Sequence, residues 1–575
     1  MSDQTPPKTT PATHLTDPSV EERPGSNRRT FLRQGLMLGG SLALSKHTRR
    51  RSGHRSRYRS SKRSPNILVI MVDQLRTPMG LQSPELFEAQ MPNLSVLRRR
   101  SVDFQRHFTA ANDCSPSRSA LLTGLYTHQT GCMITGRSRL DPGFPTWGTL
   151  LREMGYQTTW WGKWHLNPHA NASLEPYGFS GGTYPSPNGS PGQGSEVDPL
   201  IAAQFAQWFH ASSGKEPWCA TVSFVNPHDI AWWYRFTSEI PNENSPPQLI
   251  TGLPANFETP QQLLARAKPA VQRSLQDTAG RSFGAVPFAG PEMVNAWSSL
   301  INTYLLLQSR VDRQIGAVLD TLASAPALAA NTVVVFTSDH GEYGGAHGLR
   351  GKGAGAYEEA IRVPLYVCDP RGLLTSAIGT PRHQLTSSVD VVPLLLSIAT
   401  GSDSWRNDAR YAHLATRYDL AAICGNPITS GRPWVLHATD EDVTEFASEP
   451  YAAGAPRHVV ALRTPNAKLG VYSNWVPGSI AIDPAGQEAE LYDYSVPLGQ
   501  AEVENIAGSS ALEEGLYETL MQEAIPTELR AALPASLRTA HARGQANYQA
   551  VDEYETERAE YAHLPQSIGP EEPAG

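Results

Sequence analysis

The sequence predicts an α/β fold with a largely parallel sheet between helices, and three observations support this prediction. Continuous apolar, β-branched runs recur along the chain. Segments whose apolar residues repeat at three- and four-residue steps lie between these runs, an alternation typical of a doubly wound sheet. Ionisable residues directly follow several of the runs. Because ligands bind such sheets beyond the carboxyl ends of the strands, we expect one polar site assembled from distant segments.

Five segments, of which 157–161 is a short candidate, are the predicted strands of this sheet. They are residues 66–72, 157–161, 219–225, 332–337 and 363–368. The first run reads NILVIMV, without the alternation of a half-exposed strand, which predicts burial on both faces. The clearest predicted helix carries apolar residues at helical spacing from Leu300 to Leu322, and residues 146–154 and 389–399 are shorter candidates.

The chain divides into three predicted regions. Residues 1–64 are rich in Pro, Thr, Ser and Arg, and we expect them to be disordered. Residues 65–450 form one predicted catalytic domain, because a site built across that span cannot be divided between domains. Residues 451–575 begin with short strand-like runs and end in an acidic, helical segment, which predicts a small antiparallel α+β subdomain with a helical tail.

Composition excludes several classes of protein. The 575-residue chain is 40% hydrophobic, which supplies a large core and excludes a wholly disordered or fibrous protein. Its net charge of −7 argues against a general nucleic-acid binder. The run from Lys46 to Arg63 is the exception, with nine Lys/Arg and no acid. That run could bind nucleic acid or an anionic membrane, although a solvated arm is the simpler interpretation.

A short motif near the N-terminus predicts export. Arg28 and Arg29 precede Phe31-Leu32 and an apolar patch at residues 36–44, a pattern that resembles a twin-arginine signal. The patch is shorter than the about 20 residues of a transmembrane helix, so we expect no stable membrane span. No clear Ala-x-Ala site follows the patch. We therefore expect a periplasmic or extracellular protein, exported through the twin-arginine route.

The sharpest chemical motif is residues 114–118, CSPSR, followed by LLTG at residues 121–124. Pro116 lies where a helix would begin, so Cys114 is predicted at a helix N-terminus, where partial positive charge favours an anion and lowers the pKa of a thiol. Arg118, one turn further on, adds a fixed cation. This arrangement predicts a nucleophile beside an anion site.

The motif resembles the signature of the formylglycine-dependent sulfatases, which belong to the alkaline phosphatase superfamily. The resemblance extends over about residues 65–507, and the matching segments occur in the family's order. They are Asp73-Gln74, GKWHL at 162–166, His228, DHGE at 339–342, GKG at 351–353, and LYD at 491–493 with NIA at 505–507. An alkaline-phosphatase-like sandwich with a small C-terminal antiparallel subdomain is the implied fold.

The resemblance implies the site residues and the cofactors. The implied metal ligands are Asp73, Gln74, Cys114, Asp339 and His340. The implied catalytic residues are Cys114, Arg118, Lys163, His165, His228 and Lys352. A formylglycine-generating enzyme would convert Cys114 to formylglycine, whose hydrated aldehyde attacks sulfur. One divalent metal would assist, and a set with one imidazole favours Mn²⁺ while Ca²⁺ stays open. Gln74 is either a ligand or a residue behind the ligands.

The implied roles leave several alternatives open. Lys163, Lys352 and Arg118 would hold the anionic ester, with His228 near the leaving group and His165 near formylglycine. The implied substrate is a small-molecule or saccharide sulfate ester. The Asp-Gln and Asp-His pairs also suit a phosphonate monoester or phosphodiester hydrolase of the same superfamily. A non-catalytic binding or scaffold protein that retains the fold is the alternative from another class. No nucleic-acid partner is expected, and the oligomeric state is open.

Overall fold

A computed structural model describes most of the chain after its first 63 residues. The described residues are 64–167, 169–214, 217–234, 248–353, 355–441, 451–452, 454–476 and 482–561. The basic run, the export motif and nearly all of the region predicted to be disordered lie outside these ranges. Among the helices of the described residues, none combines the length and apolarity that crossing a bilayer requires.

Strands of the described residues form two main sheets and one short pair. Their bounds are β1 (Asn66–Asp73), β2 (Val102–Phe104), β3 (His107–Phe108), β4 (Gln157–Gly162), β5 (Ser180–Gly181), β6 (Trp218–Pro227), β7 (Thr332–Ser338), β8 (Leu365–Cys368), β9 (Thr386–Ser387), β10 (Val435–Thr439), β11 (His458–Arg463), β12 (Ala467–Trp475) and β13 (Ile482–Asp493). The seven-stranded sheet has the order β2-β8-β7-β1-β6-β4-β5, and β3 pairs with β9.

The large sheet is mainly parallel, as predicted. Strands β7, β1, β6, β4 and β5 run in one direction, and β8 is antiparallel to both of its neighbours, β7 and β2. All five predicted runs are strands of this sheet, with ends that differ from the prediction by one or two residues.

Helices pack on both faces of the sheet. Their bounds are α1 (Pro84–Gln90), α2 (Pro92–Arg99), α3 (Cys114–Thr123), α4 (Thr127–Thr130), α5 (Trp147–Glu153), α6 (Gln193–Ser212), α7 (Pro260–Ala265), α8 (Ala270–Phe283), α9 (Met293–Ala323), α10 (Pro326–Ala329), α11 (Glu358–Ile361), α12 (Val391–Thr400), α13 (Leu420–Gly425), α14 (Pro497–Gln500), α15 (Leu512–Glu518) and α16 (Arg538–Tyr561). A π-helix spans Thr519–Leu529, and 3₁₀ turns include His228–Trp232 and Ala346–Gly348. The three predicted helices correspond to α9, α5 and α12.

Strand β1 shows why the central runs are apolar throughout. Its Ile67 and Val69 belong to a core that includes α12 and α5, whereas Leu68 and Ile70 belong to a core that includes α9 and α6. Alternate residues of a strand point to opposite faces, so a sheet covered on both sides needs apolar residues at every position. All eight residues of β1 are buried.

The C-terminal sheet is antiparallel, with the order β10-β11-β12-β13. Its last three strands contain the strand-like runs predicted after residue 451. Strand β10 was not predicted, and it lies before the predicted boundary at residue 450. Helices follow this sheet, as the sequence predicted for the segment after Ser510.

Candidate active site

Polar side chains collect at the carboxyl edge of the parallel strands. Strand β1 ends at Asp73, and β7 is followed directly by Asp339 and His340. Lys163 follows β4 and His228 follows β6. Since β7, β1, β6 and β4 are neighbours in the sheet, their parallel direction brings these five side chains to one edge.

Helix α3 places Cys114 at the centre of this edge. The side chain of Cys114 is fully buried. Its Sγ lies 3.2 Å from His340 Nε2, 3.3 Å from Lys352 Nζ, and 3.6 Å from both Lys163 Nζ and Asp73 Oδ1. The structure therefore brings five of the predicted site residues into contact around one sulfur atom.

Arg118 connects the two carboxylates of the site. Its Nη2 donates to Asp73 Oδ2 at 2.9 Å, and its Nε donates to Asp339 Oδ2 at 2.8 Å. Its Nη1 donates to the Lys163 carbonyl at 2.7 Å and to Ser223 Oγ at 3.0 Å. Each nitrogen of the guanidinium is thus engaged within the protein. This geometry makes Arg118 a positioning residue for the carboxylates, and its predicted contact with the ester stays a prediction.

The electrostatics of the site keep Asp73 charged. Burial raises the pKa of Asp73, but its neighbours, led by Lys163, His228 and Arg118, outweigh burial and hold that pKa well below its ordinary value. Burial lowers the pKa of Arg118, but the negative charges of Asp339 and Asp73 outweigh burial and raise that pKa above its ordinary value. The guanidinium therefore stays protonated. Lys163 Nζ itself lies 2.9 Å from Asp73 Oδ2.

The donor set at this edge fits a divalent metal. One ligand atom each from Asp73, Cys114, Asp339 and His340 lies within 4.8 Å of the others. The Nδ1 of His340 lies 3.0 Å from the Gly341 carbonyl, which fixes a proton on Nδ1 and leaves Nε2 as an acceptor facing the site. Burial also lowers the pKa of His340 and favours neutral imidazole, the form that binds metal. Asp73, Asp339 and His340 can therefore hold a hard or borderline ion.

Gln74 directs its amide oxygen to the same place. Its backbone adopts a φ of 68° and its N–H donates to Asp339 Oδ1 at 3.2 Å. Its side-chain Nε2 donates to Glu342 at 2.5 Å, and its Oε1 accepts from Lys352 Nζ at 2.9 Å. This orientation suits a ligand, because the nitrogen is turned away and the oxygen faces the site, and whether Gln74 is a ligand or lies behind the ligands stays a prediction. Glu342 was not predicted as a site residue, although it closes the DHGE motif.

Lys352 lies at the end of a loop that is fixed by buried charges. Glu342 Oε1 accepts the N–H groups of Gly344 and Gly351, the residue before Lys352. Farther along this loop, His347 Nδ1 lies 2.7 Å from Glu258 Oε2. Arg350, two residues before Lys352, donates to three backbone carbonyls. These residues order the loop, and the ordered loop can hold Lys352 against Cys114.

Gly189, which the sequence did not single out individually, lies against His228, and Trp232 contacts this glycine. His228 is buried in the 3₁₀ turn after β6. A Cβ on Gly189 would lie 2.5 Å from His228 Cε1 and 3.1 Å from Lys163 Nζ. The Nε1 of Trp232 donates to the Gly189 carbonyl at 2.6 Å. The loop at residue 189 thus forms one wall of the site, and only a glycine leaves room there.

His165 is linked to the site through its backbone. It is partly exposed and adopts a φ of 58°. The Ser115 Oγ donates to the His165 carbonyl at 2.6 Å and accepts the Gly136 N–H at 3.2 Å. Ser115 follows Cys114 directly, so His165 is tied to the first turn of α3.

The sheet and this edge define the class of the protein. A mainly parallel seven-stranded sheet with a smaller antiparallel sheet after it is the alkaline-phosphatase-like sandwich expected from the sequence. The phosphonate monoester hydrolase SpPMH from Silicibacter pomeroyi superposes with a TM-score of 0.62 at 21% identity, covering 82% of this chain and 96% of that one. A solved 2-O GAG sulfatase gives 0.58 at 22% identity, with 83% and 96% covered. At these identities the two structures show a shared fold.

Within that class, the chain belongs to the sulfatase family, because a sequence profile of the family matches residues 65–402, more than half of its length. The choline-sulfatase of Rhizobium meliloti is 28% identical over 375 residues, which are 58% of this chain and 67% of that protein. The family resemblance is confirmed, and the protein is a sulfuric ester hydrolase.

Proposed function

We propose that this sulfatase works through a formylglycine made from Cys114 and one divalent metal. The observation that carries the proposal is the surroundings of Cys114 Sγ, which lies within 3.6 Å of two lysine ammonium groups, an imidazole nitrogen and a carboxylate oxygen. Two fixed cations beside a potential metal site suit an anionic ester and the charge that builds on its oxygens. The proposal also needs a formylglycine-generating enzyme as a partner of the nascent chain.

Each absent group supplies one element of the chemistry. A hydrated aldehyde at position 114 would supply the attacking hydroxyl. Asp73, Asp339, His340 and the Gln74 oxygen would hold the divalent ion, which would supply a lowered pKa for that hydroxyl and positive charge for the ester oxygens. Two carboxylates with an imidazole and an amide favour Mn²⁺, and Ca²⁺ is the alternative ion.

The residues of the chain itself bind the ester and move protons. Lys163 and Lys352 contact the nucleophile position from two sides, so both can bind oxygens of the transferred group. His228 is buried beside Lys163 and is the proposed proton donor to the leaving oxygen. His165 is tied to the turn that carries Cys114 and is the proposed acceptor of the proton that restores the aldehyde. Arg118 keeps the two carboxylates in place.

The test compares three matched aryl esters: a sulfate, a phosphonate monoester and a phosphate diester. Protein co-produced with a formylglycine-generating enzyme is assayed for kcat/KM, with Cys114→Ala as the control and mass spectrometry of the Cys114 peptide to measure conversion. We expect the sulfate to be preferred by more than tenfold and activity to follow the converted fraction. Activity that is equal in the unconverted protein would contradict the formylglycine proposal.

The alternative substrate class is phosphorus esters. The fold is shared with a phosphonate monoester hydrolase, but that likeness does not transfer activity. Preference for the phosphonate or the diester in the same assay would establish this alternative. The alcohol component is open between small alcohols, as in choline-sulfatase, and saccharides, as in the 2-O GAG sulfatase. A non-catalytic scaffold is disfavoured by the family membership and would show no turnover with any ester.

We also propose export by the twin-arginine route, because Arg28-Arg29 and the apolar patch carry that signal's pattern. The test is the location of the protein in cells with and without an Arg28→Lys, Arg29→Lys pair. Periplasmic or secreted protein only with intact arginines supports the route, and unchanged location contradicts it.

A further inference from the structure

Three ionisable side chains outside the active site converge in the protein interior. They are His128 in α4, Asp440 directly after β10, and His458 in β11. One ligand atom from each lies within 4.8 Å of the other two. The three residues are 2%, 5% and 2% exposed, so solvent does not satisfy their polar atoms. Elements from two parts of the fold thus deliver a carboxylate and two imidazoles to one buried place.

The hydrogen bonds of this cluster do not satisfy all of its buried polar atoms. His458 Nδ1 lies 2.6 Å from Asp440 Oδ1, which is a hydrogen bond. His128 Nε2 lies 3.7 Å from Asp440 Oδ2, beyond hydrogen-bond distance. Among the described residues, His128 Nε2, Asp440 Oδ2 and His458 Nε2 are buried and have no hydrogen-bond partner. Such atoms are costly to bury and call for an explanation.

A second buried cluster shows the contrast. His347, Glu359 and Glu502 also bring ligand atoms within 4.8 Å of one another. Their charges are balanced by the protein: Lys468 pairs with Glu502, and Arg76 Nη2 lies 3.8 Å from Glu359 Oε1. A metal would displace these cations. Around Asp440, by contrast, the ion-pair distances of its carboxylate are to two imidazoles, at 2.6 Å and 3.7 Å.

We propose that His128, Asp440 and His458 bind a divalent transition metal, for which Zn²⁺ is the best chemical match. Two imidazole nitrogens and one carboxylate oxygen are ligands that Zn²⁺ prefers, and a water can complete a tetrahedral set. His458 can bind through Nδ1 if its proton moves to Nε2, so no proton has to leave the ring. Burial lowers the pKa of His128 to about 3, which favours the neutral ring.

Two nearby guanidiniums, those of Arg530 and Arg457, limit the affinity. The Arg530 guanidinium lies 5.6 Å from the centroid of the Trp475 ring, and that centroid lies 3.5 Å from the centroid of the His458 ring. A guanidinium near the cluster disfavours a cation. We therefore expect weaker binding than at a structural zinc site with four protein ligands.

The site would brace the segment that carries the nucleophile. Glu441, the residue after Asp440, accepts the N–H of Asp113 at 3.3 Å and that of Thr135 at 2.7 Å. Asp113 immediately precedes Cys114. A metal that fixes Asp440 would therefore fix the contact between the C-terminal sheet and the start of α3, and its contribution would be stability rather than chemistry.

The test uses full-length protein in which Asp339→Asn weakens the active-site metal. Metal-depleted protein is titrated with Co²⁺, whose visible absorption reports a site of low coordination number, and zinc content is measured by mass spectrometry after dialysis. We expect about one equivalent per chain and a rise in Tm with Zn²⁺. His458→Gln should abolish both responses, whereas His210→Gln, which removes an exposed histidine, should leave them unchanged.

Two outcomes would overturn the proposal. The first is no absorption and no Tm response in the Asp339→Asn protein, a result that needs no variant of the cluster. The second is undiminished binding in His458→Gln or, if that variant does not fold, in His128→Gln and Asp440→Asn. Neither outcome touches the proposed catalytic function, which is read from ester hydrolysis.

Discussion

Gly189 lies so close to His228, the candidate general acid, that no side chain fits between the backbone of residue 189 and the imidazole ring. A methyl group at residue 189 would lie 2.5 Å from His228 Cε1 and 2.7 Å from Nδ1. The Gly189 backbone has a φ of 96°, a value that residues with a side chain rarely adopt. The Nε1 of Trp232 donates a hydrogen bond to the Gly189 carbonyl. The wall therefore cannot retreat without moving the tryptophan.

Gly189→Ala should reduce kcat/KM by about 100-fold, because displacing a catalytic group by about 1 Å has that effect. The measurement is aryl sulfate hydrolysis at full formylglycine conversion. Gly155→Ala is the matched control, since Gly155 has a φ of 85° with nothing within 4 Å of its Cβ position. Equal losses in both variants would show that backbone strain, and not the contact with His228, is responsible.

Arg118→Met should destabilise the metal-free protein by about 3–5 kcal/mol, because it removes a shared partner from two buried carboxylates. The free energy of unfolding is measured in urea with and without Mn²⁺. We expect Mn²⁺ to recover part of the loss, since the ion binds the same carboxylates. Arg432→Met is the control: it breaks a buried pair with Asp390 at 2.6 Å, and Mn²⁺ should not rescue it. The same response to Mn²⁺ in both variants would contradict the role of Arg118.

Glu342→Gln should weaken metal binding by about 10- to 100-fold, as loss of a residue that orients a ligand commonly does. The Glu342 carboxylate accepts from Gln74 Nε2 and from two loop N–H groups, so its loss frees both Gln74 and the loop of Lys352. Metal affinity is measured by calorimetry, with the exposed Glu85→Gln as the control. Unchanged affinity in Glu342→Gln would mean that Gln74 does not bind the metal.

His347 should make stability depend on pH. Burial lowers the pKa of His347, but hydrogen bonds with Glu258 and Glu359 outweigh burial and raise the pKa above 6.5. When the pKa of a histidine is higher in the folded state than in the unfolded state, its contribution to stability is fully present below the unfolded-state pKa. That contribution is lost as pH rises through the folded-state pKa. The Tm difference between wild type and His347→Gln should therefore be largest below pH about 6 and shrink as pH increases. A difference that grows with pH would contradict the sign.

Sequence patterns predicted the strands and the motif residues but not the contacts between them. The runs that became β1, β6 and β7 are largely apolar because both faces are covered. The residues after these strands and after β4 meet because the four strands are parallel neighbours. Gly189 was one glycine in a polar loop, and the approach that requires a glycine there involves His228, 39 positions away, and Lys163.

The other residues were not predicted because their contacts arise only from tertiary packing. Strand β10 is five residues long and had no signal apart from its pairing with β11. Asp440 and His128 are 312 positions apart and are unremarkable alone. Their neighbourhood is created by the docking of the C-terminal sheet, which no local pattern encodes.

The two candidate proton-transfer histidines can be separated by the leaving group. If His228 donates a proton to the leaving oxygen, His228→Gln should slow esters of aliphatic alcohols by about 10²- to 10⁴-fold and p-nitrophenyl sulfate much less, because a good leaving group needs no proton. His165→Gln should lower kcat for both esters by a similar factor and leave kcat/KM nearly unchanged, since its proposed role follows departure of the alcohol. The measurements are kcat for each ester and the dependence of log kcat/KM on leaving-group pKa, for wild type and both variants. A steeper slope in His165→Gln than in His228→Gln would reverse the assignment.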